Sequence, residues 1–199
     1  MVVAVSEVGR QHSAKQQELA DALLGIAATR GLDQVSVREV AAAAGVSIGT
    51  VQHYFGTKDA MLVFAFRHVV RRTRARVARI DPRLPPRRRL GLALRELLPL
   101  DAERTAECRV YLAFAARAAT SPGLAAVQEE TLTAIRADLR QALAGTAGAD
   151  HGRATLETEA RLLLAVVDGL MFDAVTAPGT LAPAELEAAL DTYLDRIAP

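Results

Sequence analysis

Apolar side chains recur at helical spacing along most of this chain, so the predicted elements are helices. The first clear case is Leu19, Leu23 and Ile26, at positions i, i+4 and i+7, which predicts a helix from about Ser13 to Arg30. No segment shows the strict apolar–polar alternation of a half-buried strand. The other predicted helices end near Gly or Pro residues and span about 37–44, 48–54, 58–80, 87–98, 101–119, 122–144, 153–177 and 183–198.

The segment from Ser36 to Lys58 encodes two short helices joined by a tight turn. Ser36 and Glu39 have the spacing of a capping box, in which each side chain bonds the backbone N–H of the other residue. Gly45 stands where helices often end in a left-handed residue, and Ser47 can cap the second helix. Two helices joined in this way form the helix-turn-helix unit that places a helix in the DNA major groove.

The second short helix has one apolar side and one open side. Val51 and Phe55, four residues apart, are predicted to anchor it to a small core. The open side carries short or polar groups, suited to phosphate oxygens and base edges: Ser47, Gly49, Thr50, Gln52 and His53. A glutamine can pair bidentately with adenine, and a threonine methyl can contact the thymine methyl. The alternative for Thr50 and Gln52 is an exposed helix surface without a DNA role.

A resemblance to the DNA-binding domain of the TetR family of bacterial repressors is carried by residues 22–62, ALLGIAATRGLDQVSVREVAAAAGVSIGTVQHYFGTKDAML. It implies an all-helical homodimer with a small-molecule pocket in its C-terminal domain. It also implies that the homodimer leaves DNA when the effector binds. It also implies that Ser36 and Arg38 contact backbone phosphates and that Lys58 holds a phosphate at a helix N-terminus. By the same resemblance, the residues along or beside the groove are Thr50, Gln52, His53 and Tyr54.

Individual positions of this block leave alternatives open. Many family members carry a basic residue where Ile48 stands and an aromatic residue where Gln52 stands. Tyr54 can either pack in the small core or place its hydroxyl on a phosphate. His53 is better suited to DNA than to a metal ion, because no second ligand lies at a matching spacing.

The C-terminal half resembles the BetI-like branch of the same family, in the segments LLPLDAERTAECRVYLAFAARA and LLLAVVDGLMFDAV. A quaternary ammonium effector would need an aromatic box, and this half has few aromatic residues, so we do not expect that effector class. Candidate ligand-binding residues lie on the predicted sixth and eighth helices: Cys108, Tyr111, Leu112, Asp168, Met171 and Phe172. Ordinary core packing is the alternative for each of them.

Asp168 is the most informative of these positions. A carboxylate among Val167, Leu170 and Met171 is costly unless it is paired. It can pair with Arg109 or Arg117, or it can orient a ligand.

The last two helices are apolar on more than one side, and the resemblance implies that they form a four-helix dimer interface. Their apolar positions exceed the need of one small domain: Leu162, Val166, Leu170, Leu186, Leu190, Tyr193, Leu194 and Ile197. Two-fold symmetry would place two recognition helices one DNA turn apart, ~34–36 Å, so that the dimer reads a palindrome. The long helix over 58–80 is then the lever between the pocket and the DNA.

Charge is distributed unevenly along the 199 residues, although the net charge is only +1. Residues 61–90 carry 10 Arg and one acidic residue, whereas residues 91–199 carry 9 basic and 16 acidic residues. The arginines can add positive potential to a DNA face or form a solvated helix face. The acidic C-terminal half is an unlikely DNA surface, because DNA binding requires cations near phosphates.

Other features restrict the class of protein. No apolar run reaches the ~18–20 residues of a membrane span, and the N-terminus lacks the pattern of a secretory signal. The single cysteine, Cys108, is compatible with a reducing cytoplasm. We expect it to be a small buried hydrophobic residue, and the alternative is a redox sensor. Phosphate loops, zinc-ligand spacings and nucleophile elbows are absent from the sequence, so we expect neither an enzyme nor a bound metal or cofactor.

The expected fold is all-α, with about nine helices in two domains. We expect a flexible arm over residues 1–12, a helix-turn-helix DNA-binding domain over 13–60 and a helical regulatory and dimerisation domain over 61–199. The expected function is a cytoplasmic, ligand-responsive DNA-binding regulator, a repressor released from a palindromic operator. The alternatives are a DNA-binding dimer without a sensor and a helical protein-interaction module, and activation in place of repression also stays open.

Overall fold

A computed structural model describes residues 8–30, 35–146 and 153–197. Across those residues the chain is all-α, as predicted. The helices are α1 (Val8–Arg30), α2 (Val37–Ala43), α3 (Ile48–Phe55), α4 (Lys58–Val77), α5 (Pro86–Arg95), α6 (Ala102–Ala118), α7 (Pro122–Thr146), α8 (Arg153–Thr176) and α9 (Pro183–Ile197). No helix in this described part of the chain is both long and apolar enough to cross a bilayer.

The first helix is longer than the sequence pattern predicts. It begins at Val8, so residues 8–12, which we assigned to a flexible arm, are helical; residues 1–7 lie outside the described residues. The predicted start at Ser13 came from apolar periodicity, which reports the packed face of a helix. Backbone hydrogen bonds can extend a helix beyond that face.

Helix α2 begins at a side-chain cap, but the capping box is only half formed. The Ser36 Oγ atom accepts a hydrogen bond from the Glu39 backbone N–H at 3.2 Å. The Glu39 carboxylate instead forms an ion pair with Arg30 Nη1 at 2.6 Å, which ties α2 to the end of α1. The cap is therefore local, as predicted, and the second arm of the box is replaced by a contact between helices.

The N-terminal helices share a core that reaches into the rest of the molecule. Buried residues of α1, α2 and α3 meet the α4 residues Met61, Ala65 and Val69 in this core. Val110 of α6 is fully buried in the same cluster. This core, called the reader core because the sequence predicts that its helices read DNA, is therefore completed by α6, a helix of the C-terminal half.

An aromatic stack fastens α4 to α6 next to that core. The rings of Phe66 and Phe114 lie face to face, with centroids 3.9 Å apart and planes at 10°. Both side chains are fully buried, and Leu124 of α7 packs in the same cluster. This stack adds a second α4–α6 contact to the one in the N-terminal core. Together the two contacts join the N-terminal helices to the C-terminal helices.

Ion pairs form a second connection between these helices. Arg72 and Arg76, four residues apart on α4, both reach Glu107 of α6, which is 4% exposed. Arg76 Nε also lies 2.6 Å from Glu96, just after α5, and Arg72 Nη1 lies 3.1 Å from Asp21 of α1. These two arginines do not belong to a solvated helix face, which was one of the two sequence-based alternatives for the arginine-rich segment.

The C-terminal core corrects part of the predicted dimer interface. Leu186, Leu190 and Leu194 of α9 are buried within the single chain, in a cluster with Leu90 and Leu94 of α5. They therefore do not supply an exposed interface. The sequence showed that α9 has an excess of leucines, but it did not show that α5 covers them.

Exposed apolar side chains remain on α8. Leu162 is 48% exposed and Phe172 is 53% exposed, in contrast to Leu163 and Leu164, which are buried. Gly169 lies between the two exposed residues along the helix and is also exposed. Helix α8 thus buries one side in its own core and presents an apolar strip on another.

Candidate DNA-binding surface and ligand cavity

The turn before α3 has the local geometry that the sequence predicted. Gly45 adopts φ +62°, the left-handed conformation that glycine tolerates best. The Ser47 Oγ atom accepts the backbone N–H of Thr50 at 3.0 Å and lies 2.9 Å from the Thr50 hydroxyl. The start of α3 is therefore held by a side-chain cap on a turn that redirects the chain.

Helix α3 presents the predicted two-sided pattern. Val51 and Phe55 are buried in the reader core. Thr50 is half-buried, and the exposed residues on the outer side include the other positions predicted to face DNA: Ser47, Gly49, Gln52 and His53. Ile48 is exposed on the same short helix. The arrangement provides a polar helix surface, and the contact of these residues with DNA stays a prediction.

Tyr54 packs on the core side of this surface. Its side chain is half-buried against the reader core, and its ring meets His53 edge-on with centroids 5.4 Å apart. Of the two sequence-based alternatives, core packing is observed, and it leaves the hydroxyl contact with phosphate as a prediction.

The three predicted phosphate-contacting residues lie at helix starts. Ser36 and Arg38 are exposed at the start of α2, and Lys58 is exposed as the first residue of α4. A cation at a helix N-terminus is unfavourable against the helix dipole, although Asp59 in the same turn compensates. The contact of these three residues with phosphate stays a prediction.

A half-open pocket of about 310 Å³, called the cavity below, lies next to α4 and is lined by residues of α4, α5, α6, α7 and α8. Most of its wall is apolar, with side chains such as Val70, Val77, Leu139 and Leu164. This is the size and character of a small-molecule site, in which a few polar groups orient an apolar ligand.

Four of the six predicted ligand-binding residues line this cavity: Cys108, Tyr111, Asp168 and Met171. Leu112 and Phe172 do not. Leu112 packs against the C-terminal core, because one residue along an α-helix rotates the side chain by about 100° away from that of Tyr111. Phe172 follows Met171 by one residue and is rotated in the same way, onto the exposed surface of α8.

A second hollow of about 470 Å³ lies beside the first, between α4, α5 and α7. The two share Val77, Ala93, Asp138 and Leu139. Only the first contains any of the residues predicted to bind a ligand, and it is therefore the candidate site.

Asp168 lines the cavity, and within the described residues it forms no ion pair with either arginine that the sequence suggested. Burial raises the pKa of its carboxyl to about 6, and the charge of Arg136 on α7 opposes that shift. Arg117, one of the two predicted partners, binds Asp59 of α4 with Nη2 3.1 Å from the carboxylate. Asp168 is thus a partly desolvated acid in an apolar wall.

Tyr111 and Cys108 face the same cavity from α6. Burial and then the nearby Asp168 raise the pKa of Tyr111 to about 12, and Gln128 Nε2 lies 3.5 Å from its hydroxyl. Burial also raises the pKa of the Cys108 thiol to about 12, and its Sγ donates to the Leu97 carbonyl at 3.6 Å. A thiol with so high a pKa favours the buried-hydrophobe interpretation of Cys108, because the thiolate is the reactive form.

Glu107 is a charged wall residue that was not among the predicted ligand-binding residues. It lies between the predicted Cys108 and the α4 arginines, and it contributes to the cavity while bound to Arg72 and Arg76. The available signal was the i, i+4 spacing of those arginines on α4. That spacing alone does not identify which acidic residue they reach.

Two family models match the chain. One, described as bacterial regulatory proteins of the tetR family, covers residues 19–63. The other, described as the C-terminal part of BetI-type transcriptional repressors, covers residues 86–199. Together they cover both the α3 surface and most of the cavity wall.

Individual proteins show the same similarity over nearly the whole chain. The HTH-type transcriptional regulator PksA of Bacillus subtilis is 30% identical over 170 residues, which cover 84% of this chain and 82% of PksA. A crystal structure of a transcriptional regulator from Rhodococcus sp. Rha1 is 47% identical, with a TM-score of 0.82 over 92% of this chain and 95% of that one. The multidrug binding protein EbrR complexed with ethidium is 27% identical, with a TM-score of 0.65 over 93% of this chain and 99% of EbrR.

Proposed function

Because this chain belongs to the TetR family of bacterial regulatory proteins, we propose that it is a ligand-responsive repressor that leaves a palindromic operator when a small effector binds. One observation carries the proposal: α4 contributes Met61, Ala65 and Val69 to the reader core and also forms a wall of the cavity. A ligand in the cavity therefore acts on the helix that supports α3.

The outer surface of α3 is proposed to read the operator. Gln52 and His53 are exposed there, and Val51 fixes the opposite side of the helix in the core. We propose that phosphates are contacted by Ser36, Arg38 and Lys58. The other residues proposed to lie along or beside the groove are Ser47, Gly49, Thr50 and Tyr54. Phosphate contacts position such a helix, and base contacts specify the sequence.

Coupling between the sites is proposed to pass through Glu107. This buried carboxylate faces the cavity and is held by Arg72 of α4, which also binds Asp21 of α1. Asp21 lies 3.0 Å from His68 Nε2 as well, and burial lowers the pKa of that histidine. A ligand that displaces the wall at Glu107 would change how α4 is held against α1.

The effector can shift the equilibrium only if it binds one arrangement of α4 better than the other. The cavity of about 310 Å³ favours a sensor over the alternative in which the C-terminal half serves dimerisation alone. The ethidium complex of the similar protein EbrR supports an organic molecule as the occupant.

Dimerisation is proposed to use the exposed strip of α8, with Leu162 and Phe172 near its ends, together with exposed parts of α9. A two-fold axis through such a strip brings the same residues of both protomers together. We place the protein in the cytoplasm, where the operator is accessible.

The test is fluorescence anisotropy of labelled DNA from upstream of the protein's own gene, against scrambled DNA, at two salt concentrations. We expect binding to the upstream DNA at least 100-fold tighter than to the scrambled DNA, with an affinity that falls as salt rises. Replacing Gln52 by Ala should cost roughly 1–3 kcal/mol of binding free energy. The control Thr133→Ala, at an exposed position of α7, should bind as the unchanged protein does.

Other outcomes separate the alternatives. Equal affinity for both DNAs would contradict specific reading of that region and leave only electrostatic contact. Absence of binding even at low salt would contradict the DNA-binding proposal and favour the protein-interaction module.

A further inference from the structure

Resting on the proposed function of the cavity as an effector site, we propose that the effector is an organic ammonium: an apolar body with an N–H-bearing cation that binds Asp168. The family match assigns a regulator and leaves the chemistry of its ligand open. The balance of charges around the cavity narrows that chemistry.

The other carboxylates of the cavity wall already have cationic partners. Glu96 and Glu107 each lie 2.6 Å from a nitrogen of Arg76. Asp138 lies 3.6 Å from Arg74 Nη2. Each of these acids therefore already has at least one cationic partner.

The arginines of the wall are also compensated. Arg74 has Asp138 as its partner, and Arg104 lies 2.9 Å from Asp101 and 3.6 Å from Glu96. An anionic ligand would therefore have to compete with an existing ion pair for either cation.

Asp168 is the exception. Among the residues that the structure describes, no cation lies within 4 Å of its carboxylate, and Arg136 acts on it only from a greater distance. Burial raises its pKa to about 6, so the group is mostly ionised at neutral pH while partly removed from water. A buried charge without a partner is costly, and a ligand cation would relieve that cost.

The neighbourhood of Asp168 favours a cation that can donate hydrogen bonds. Tyr111 lines the cavity as well, and the Asp168 charge helps to raise its pKa, so its hydroxyl oxygen is a further acceptor in the same wall. Tyr111 is also the single aromatic residue in the described wall of the cavity. A quaternary ammonium is held by the faces of several aromatic rings, whereas an N–H-bearing ammonium needs the oxygen acceptors that are present here.

The rest of the wall suits an apolar body. Val70, Val77, Leu139 and Met171 surround the space next to Asp168. Apolar walls with one charged group bind a molecule in one orientation. The ligand is therefore expected to place its nitrogen at α8 and its hydrocarbon part towards α4 and α7.

The test uses four probes that share one rigid hydrocarbon cage and differ in the attached group. They are 1-adamantylamine, its N,N,N-trimethyl derivative, 1-adamantanol and 1-adamantanecarboxylate, titrated into the full chain at pH 7.5 by calorimetry. We expect the amine to bind at least tenfold more tightly than each of the other three. Asp168→Asn should remove that preference, and Asp173→Asn, on the exposed side of the same helix, should retain it.

Circular dichroism of both variants verifies folding. Tyr111→Phe removes the second acceptor, the Tyr111 hydroxyl, and should lower the affinity for the amine several-fold. Equal affinity for the amine and the alcohol, or an unchanged preference in Asp168→Asn, would overturn the inference. Tight binding of the trimethyl derivative would overturn the requirement for an N–H group. If no probe binds while the operator titration succeeds, the inference fails and the DNA-binding part of the proposed function stands.

Discussion

Arg76 of α4 forms a bidentate ion pair with Glu107 of α6, in which its Nη1 and Nη2 atoms lie 3.1 and 2.6 Å from the two carboxylate oxygens. The hydrogen bonds to Glu107 are the main reason that the pKa of Arg76 is raised. Such bidentate pairs are directional as well as strong. This pair fixes the angle of the helix shared by the reader and the cavity.

Removing the Glu107 carboxylate should therefore destabilise the fold. We expect Glu107→Ala to lower the free energy of unfolding by about 3 kcal/mol, because it removes the buried acceptor and leaves the partly buried Arg72 and Arg76 with more exposed partners. Glu103 also pairs with Arg72, but its side chain is largely exposed. Glu103→Ala is the control and should cost less than about 1 kcal/mol. Urea denaturation measures both values, and equal small losses would refute the special role of Glu107.

The raised pKa of Asp168 predicts a pH-dependent stability. Its pKa is about 6 in the folded protein and 3.8 in the reference state, so the folded chain binds more protons between these values and stability falls as pH rises through them. Asp168→Asn should therefore raise the melting temperature at pH 7.5, with a gain of about 1–2 kcal/mol. The gain should vanish near pH 4.

Tyr111 and Cys108, which line the cavity together with Asp168, do not change charge in that range, because burial raises the pKa of each to about 12. The measurement is the change in melting temperature that Asp168→Asn and the control Asp173→Asn each cause, at several values between pH 4 and 7.5. A gain of the same size at every pH would show that Asp168 titration is not its cause.

Two glycines should respond to alanine in opposite directions. Gly45 has φ +62° in the turn before α3, where a Cβ atom costs about 1 kcal/mol. Gly25 lies inside α1, and an added methyl would meet no atom within 4 Å. Gly25→Ala should stabilise the protein by about 0.5–1 kcal/mol, because it restricts the unfolded chain. The midpoints of urea unfolding give both signs, and a destabilising Gly25→Ala would contradict the helical environment of α1.

The exposed strip of α8 predicts a charge-sensitive dimer. Replacing Leu162 and Phe172 together by Glu should convert the dimer to a monomer, because four carboxylates would meet across a two-fold axis. Light scattering coupled to size-exclusion chromatography measures the mass. Thr133→Glu on α7 is the matched control and should leave the mass unchanged. A persistent dimer in the double variant would exclude this strip as the interface.

The start and direction of α3 were predictable from the sequence because their causes are local. The Ser47 cap and the left-handed Gly45 involve residues within a few positions of one another. The burial of Val51 and Phe55 follows from helical periodicity within one turn. Capping, turn chemistry and periodicity are properties of short segments, and they depend little on how the rest of the chain packs.

The cavity depended on tertiary structure. Leu112 and Phe172 do not line it, and each lies one position from a residue that does. Which of the two neighbours faces the cavity is decided by how five helices rotate against each other. The partners of Arg76 lie 20 and 31 positions away, a separation at which periodicity carries no information. The covering of the α9 leucines by α5 is decided in the same way. Sequence by itself determined most of the helix bounds, the polar outer side of α3 and the family. Packing between distant helices decided which charges are paired and which carboxylate of the cavity wall has no cation within 4 Å among the described residues.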